Sequence, residues 1–130
     1  MRSNDLSILI RSVKMADDWF KELQYVSVEI NRNRKSNSKT SKVAILDTGM
    51  DVGHSAVSEA LNKRIKGWKG FPDSADPWKD TDGHGTFLAC VLMRAAPQTL
   101  LYIARIFNDA REYTDTDVAA VNILKALSDL

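Results

Sequence analysis

Two short motifs carry the side chains most able to do chemistry. Asp47 opens Asp47-Thr48-Gly49, directly after the unbroken apolar run Val43-Ala44-Ile45-Leu46. A carboxylate at the end of a buried parallel strand lies on the edge of an open α/β sheet where functional groups cluster. Burial raises a carboxylate's pKa, so an ionised aspartate there needs donors or a cation beside it. Gly49 permits a tight turn that brings backbone N–H groups close. The same position also suits an aspartate that only caps its turn. His84 lies in Asp82-Gly83-His84-Gly85-Thr86, immediately ahead of the apolar run Phe87–Met93. At a helix N-terminus the positive dipole end disfavours imidazolium, which helps keep the ring neutral, as a general base requires. The two flanking glycines let other groups approach the ring closely.

Elements must hold these residues, and hydrophobic spacing locates them. Val43–Leu46, without alternation, reads as a strand buried on both faces. Residues 50–83 are predicted to be mostly loop, with ordered pieces near Val57–Leu61 and Ile65–Phe71; Pro72 and Pro77 fall in this stretch. Phe87 to Ala96, stopped by Pro97, is predicted to be a helix that is apolar all round and so buried. Leu100–Ile106 reads as a second interior strand. A helix capped by Asp115 or Thr116 is predicted to run to about Leu127, with Val118, Val121, Leu124 and Leu127 on its packed side. Strand, helix, strand, helix in this order predicts an α/β fold with a parallel sheet. Ahead of these, residues 16–30 have Trp19, Phe20, Leu23, Val26 and Ile30 at three- and four-residue spacing, which predicts a packing helix.

Asp-Thr-Gly after a buried strand, followed by Gly-His-Gly-Thr before a helix, resembles the subtilisin-like serine proteases, the subtilases. The resemblance covers about residues 42–128. It implies that Asp47 is the aspartate orienting the imidazole and His84 the general base. Ala95-Ala96-Pro97 and Leu101–Ile106 look like the family's alanine-proline turn and the strand after it, and His54 matches a structural histidine. The implied fold is a partial subtilisin-like parallel sheet with flanking helices, incomplete at the C-terminus. Three positions depart from the pattern. Phe87 stands where the family usually repeats a histidine, Cys90 where it usually has glycine, and Ser55 where proline often follows the histidine matched by His54. The first two enlarge side chains along the helix, so neighbours must repack.

A subtilase also needs a serine nucleophile in a Gly-Thr-Ser context and an asparagine for the oxyanion. None of the six glycines is followed by Ser or by Thr-Ser; Gly85-Thr86 runs into Phe87. The resemblance therefore implies a serine-type endopeptidase domain whose nucleophile is absent from these 130 residues, so this chain alone is expected to be inactive. A truncated pseudo-protease acting as a binding or regulatory module is the alternative. A third reading takes Leu-Asp-Thr-Gly as the signature of a dimeric aspartic protease, in which two carboxylates share a proton. The predicted helices and the unexplained Gly-His-Gly-Thr oppose it.

Composition sets the remaining bounds. With 44% hydrophobic and 27% charged residues the chain is neither disordered nor a disulfide scaffold, and Cys90 is its single cysteine. That cysteine, and an N-terminal apolar run too short for a signal-peptide core, predict an intracellular protein. Charge is uneven. Residues 31–42, NRNRKSNSKTSK, hold five of the 18 basic residues and no acid, leaving 13 basic against 17 acidic elsewhere, a net −4. This stretch reads as a flexible linker between an N-terminal helical segment, 1–30, and a partial catalytic domain, 43–130. It has no interleaved aromatics and the rest is acidic, so nucleic acid is not an expected partner, nor is a membrane. A polypeptide substrate is the expected partner of a full-length form. No cofactor is expected. The family resemblance allows structural calcium, but Asp80 and Asp82 read as plain loop residues beside His84. An isolated half of such a fold is predicted to leave a sheet edge and a helix face uncovered, with marginal stability.

Overall fold

A computed structural model describes residues 3–36, 38–71, 76–108 and 116–128. The chain forms two compact units, Met1–Lys39 with Arg94–Pro97, and Thr40–Met93 with Gln98–Leu130.

The first unit is built on helix α1, Ser3–Arg32, which starts well before the predicted residue 16. Its stripe is less covered than its spacing suggests: Phe20 and Leu23 are half-buried, but Trp19, Val26 and Ile30 are each at least 50% exposed. Periodicity shows that a face is fit to be buried, not that anything lies on it. The first two residues of the predicted linker, Asn31 and Arg32, complete α1, and Lys42 opens the first strand. Between them Arg34 donates to the carbonyls of Ser38 and Lys39. No described helix is long and apolar enough to cross a membrane.

The second unit holds a parallel three-stranded sheet in the order β1-β3-β2, with β1 Lys42–Asp47, β2 Ile65–Gly70 and β3 Leu100–Arg105. The register sets Asp47 opposite Arg105. Successive residues of a strand point to opposite faces, and β3 fills both. Leu101 and Ile103 join one cluster with Ile45, Met50, Val57, Ile65 and Ala89. Ala104 lies in a second with Phe71, Ile106, Phe107 and Ala126. Two covered faces explain why β3 reads as an apolar run rather than an alternation. Helix α2, Ser55–Ala60, supplies Val57 and Ala60 to the first cluster.

Two helices differ from expectation. Helix α3, His84–Ala95, is not buried all round: Gly85, Thr86 and Ala89 are buried, Phe87 is 63% exposed and Leu88 36%. The described part of the unit covers only the side of α3 that carries Ala89. Helix α4, Thr116–Ser128, packs through Ala119, Asn122, Ile123 and Ala126, while Val121, Leu124 and Leu127 are exposed. Spacings of three, four and seven hold on either face, and apolarity alone selected the wrong one. The buried Asn122 amide settles it by donating to the Ile106 carbonyl at 3.0 Å. The predicted cap residue Asp115, the side chains of Thr116 and Val118, and Pro72 lie outside the described residues. Among the described residues β1 and β2 each pair with β3 alone, so uncovered sheet edges are present, as is the apolar face of α4.

Candidate active site

Asp47 ends β1 and His84 begins α3, and the fold brings them into contact. His84 Nδ1 lies 2.9 Å from Asp47 Oδ1 and 3.0 Å from Oδ2. A carboxylate can only accept, so Nδ1 carries a proton, and whenever the ring is neutral Nε2 is its basic nitrogen. The Asp47 side chain is 7% exposed and the His84 ring 49%. A buried carboxylate therefore backs an imidazole whose other side faces outward.

Asp47 is held by its own turn. Thr48 donates to Oδ1 through its backbone N–H at 2.8 Å. Gly49 is at φ +106°, where only glycine is unstrained, and turns the chain under the carboxylate. The start of α3 then lies directly on this turn. A Cβ at Gly85 would stand 2.2 Å from the Gly49 carbonyl oxygen, and the Gly85 N–H donates to Thr48 Oγ1 at 3.1 Å. The glycine flanking His84 thus admits a backbone rather than a substrate.

Asp80, read from sequence as a plain loop residue, is the junction of this packing. Its Oδ1 accepts from Thr48 Oγ1 at 2.9 Å and from the Gly83 N–H at 2.8 Å. Its Oδ2 accepts from the Thr86 N–H at 2.7 Å and from the Thr86 hydroxyl. Thr86 Oγ1 in turn accepts from the Asp51 N–H at 2.9 Å. One carboxylate therefore ties the segment after Asp47 to the segment around His84. A carboxylate four residues before the histidine, with a threonine beside each motif, was the available signal; neither alone implies contact.

Burial pushes the Asp80 pKa up, but the bonds from Thr86, Gly83 and Thr48 outweigh it, and the net direction is below 3.8. A depressed folded pKa gives stability that is present above the unfolded value and lost as pH falls through the folded one. Asp80→Ala should leave four donors without their acceptor and destabilise by about 2 kcal/mol near neutrality. Urea unfolding should show that difference shrinking below about pH 4; a variant as stable as the parent at pH 7 would remove Asp80 from this role.

His84 departs from expectation in charge. Its pKa lies above 6.5, raised first by the hydrogen bond to Asp47, then by that group's charge, against partial desolvation, with Asp82 and Asp80 adding smaller pulls. The helix dipole favours a neutral ring, but a contacting carboxylate is the stronger field. Asp82 and Asp80 thus act on His84 as charges.

His54 stands apart from the pair, at the N-cap of α2, with Nδ1 3.7 Å from Cys90 Sγ. Burial raises the Cys90 thiol pKa. Among the described residues no three His, Cys, Asp or Glu side chains converge.

A model of the subtilase family matches residues 38–122. No curated protein matches the chain.

Proposed function

Because the chain belongs to the subtilase family, we propose that it supplies the aspartate and histidine of a serine-endopeptidase site. The observation that carries this reading is the 2.9 Å contact between a buried Asp47 carboxylate and a half-exposed His84 ring. Asp47 would fix the tautomer with the proton on Nδ1 and stabilise the imidazolium that forms during turnover. Nε2 would take the hydroxyl proton of a serine as that oxygen attacks the peptide carbonyl, then pass it to the leaving amine. The bound partner would be a polypeptide.

The serine is not among these 130 residues, so this chain by itself is proposed to be inactive. The departures at Phe87 and Cys90 favour a second reading, a pseudo-protease that binds without cleaving. An aspartic-protease role is disfavoured, because Asp47 is engaged by an imidazole and its strand lies in a parallel sheet.

A fluorophosphonate probe separates these readings. The 130-residue chain is expected to remain unlabelled. The transcript past the codon for Leu130 is expected to encode Gly-Thr-Ser in frame. The longer product should label, and His84→Ala should abolish its labelling. A transcript with no such sequence would promote the pseudo-protease; labelling retained in His84→Ala would sink the base assignment.

A further inference from the structure

Outside residues 31–42 the chain is net acidic, yet from Ala60 to Pro72 it carries Lys63, Arg64, Lys66 and Lys69 and no acid. Arg64 is engaged with the Met93 and Thr99 carbonyls, while the three lysines are exposed around β2. Among them Trp68, inside the strand, is 52% exposed, and its ring centroid lies 4.7 Å from that of Trp78. With Val52, Leu61 and Ile65 the two rings line a groove of about 380 Å³. We propose that β2 is a docking site for an extended acidic segment of another polypeptide, which adds a strand to the open edge of the sheet.

Backbone geometry makes the occupant a peptide. Among the described residues β2 pairs with β3 alone. The Phe71 N–H donates to the Arg105 carbonyl of β3, and backbone groups alternate sides along a strand, so the N–H and C=O of Trp68 and Gly70 point to the open edge. A peptide main chain completes such a ladder, and a nucleic acid does not. Charge makes it acidic, and an apolar side chain of the added strand would enter the groove between the tryptophans. A second copy pairing edge to edge would set lysines against lysines, which disfavours a homodimer here. Edge protection alone does not account for a half-exposed tryptophan among those lysines. The register places Gly70 level with Arg105 and Asp47, so a strand added outside β2 lies three strand spacings, roughly 14 Å, from Asp47. The site is separate from the Asp47–His84 pair and needs none of the roles proposed for it.

Fluorescence anisotropy of a labelled heptapeptide, alternating glutamate with valine and a central phenylalanine, tests this on the 130-residue chain. Saturable binding is expected, and the counterpart with lysine in place of glutamate should bind about tenfold or more weakly. N-methylating one alternate set of the peptide's amides should weaken binding about tenfold or more, and the other set should leave it unchanged, because only one set faces β2. Trp68→Ala should weaken binding about tenfold as well. Equal binding of the two charge forms, or indifference to both methylated sets, would overturn the proposal. Tighter binding of oligothymidylate than of the peptide would overturn it too and make the patch a nucleic-acid surface. The methylated peptides are tested on the parent chain, so they decide even where Trp68→Ala fails to fold.

Discussion

Gly85→Ala is expected to destabilise the chain by about 3 kcal/mol or more and to separate His84 from Asp47. The added methyl would stand 2.2 Å from the Gly49 carbonyl oxygen and 3.2 Å from that residue's carbonyl carbon and nitrogen. All three are backbone atoms, so no rotamer change relieves the clash. Gly49 is itself closely packed: a Cβ built on it would meet the Lys79 carbonyl oxygen at 2.6 Å. The relief left is to move the start of α3 outward, and His84 is its first residue. That shift would also break the bond from the Gly85 N–H to Thr48 Oγ1. Urea unfolding followed by far-UV circular dichroism measures the loss, and the His84 ring resonances report the separation. A variant with the parent's midpoint and the parent's His84 shifts would show that the two backbones do not approach this closely.

Asp47→Asn is expected to bring the His84 pKa down towards its ordinary 6.5. The two largest causes of the upward shift both come from Asp47, and the amide keeps the ring's neighbour while removing its charge. Asp82 and Asp80 remain and hold a small part of the shift. The sign for stability follows from linkage. A folded pKa above the unfolded one means the protonated ring stabilises the fold below about pH 6.5, and that contribution is lost as pH rises through the folded value. The advantage of the parent over Asp47→Asn should therefore be largest in mild acid and shrink as pH rises through the folded His84 value. Proton NMR titration of the imidazole follows His84 directly, and His54, the only other histidine, is assigned by His54→Ala. A His84 pKa unmoved by the substitution would show that Asp47 does not control the ring.

Much of the site was legible because chemistry and turn geometry are local. Asp-Thr-Gly at the end of an apolar run and Gly-His-Gly-Thr before another mark a strand end and a helix start from their own residues. The unbroken runs Val43–Leu46 and Leu100–Ile106 correctly indicated strands covered on both faces, since that burial leaves no polar alternation. The helices were read less well. Both faces of α4 fit a helical period, and the choice between them rests on the Ile106 carbonyl, which receives Asn122 from another element. The stripe of α1 and the outer side of α3 contain residues fit for a core that nothing described covers.

What the residues determined alone is therefore the pair of motifs, their placement at a strand end and a helix start, and the parallel α/β arrangement. What only the tertiary structure decided is the contact between them. Gly85 serves the Gly49 backbone, Asp80 joins the two segments through both threonines, and Asp47 raises the His84 pKa against the pull of the helix dipole. Each depends on atoms some thirty residues apart in sequence and under 4 Å apart in space. Hydrophobic period and local propensity carry no record of such distances.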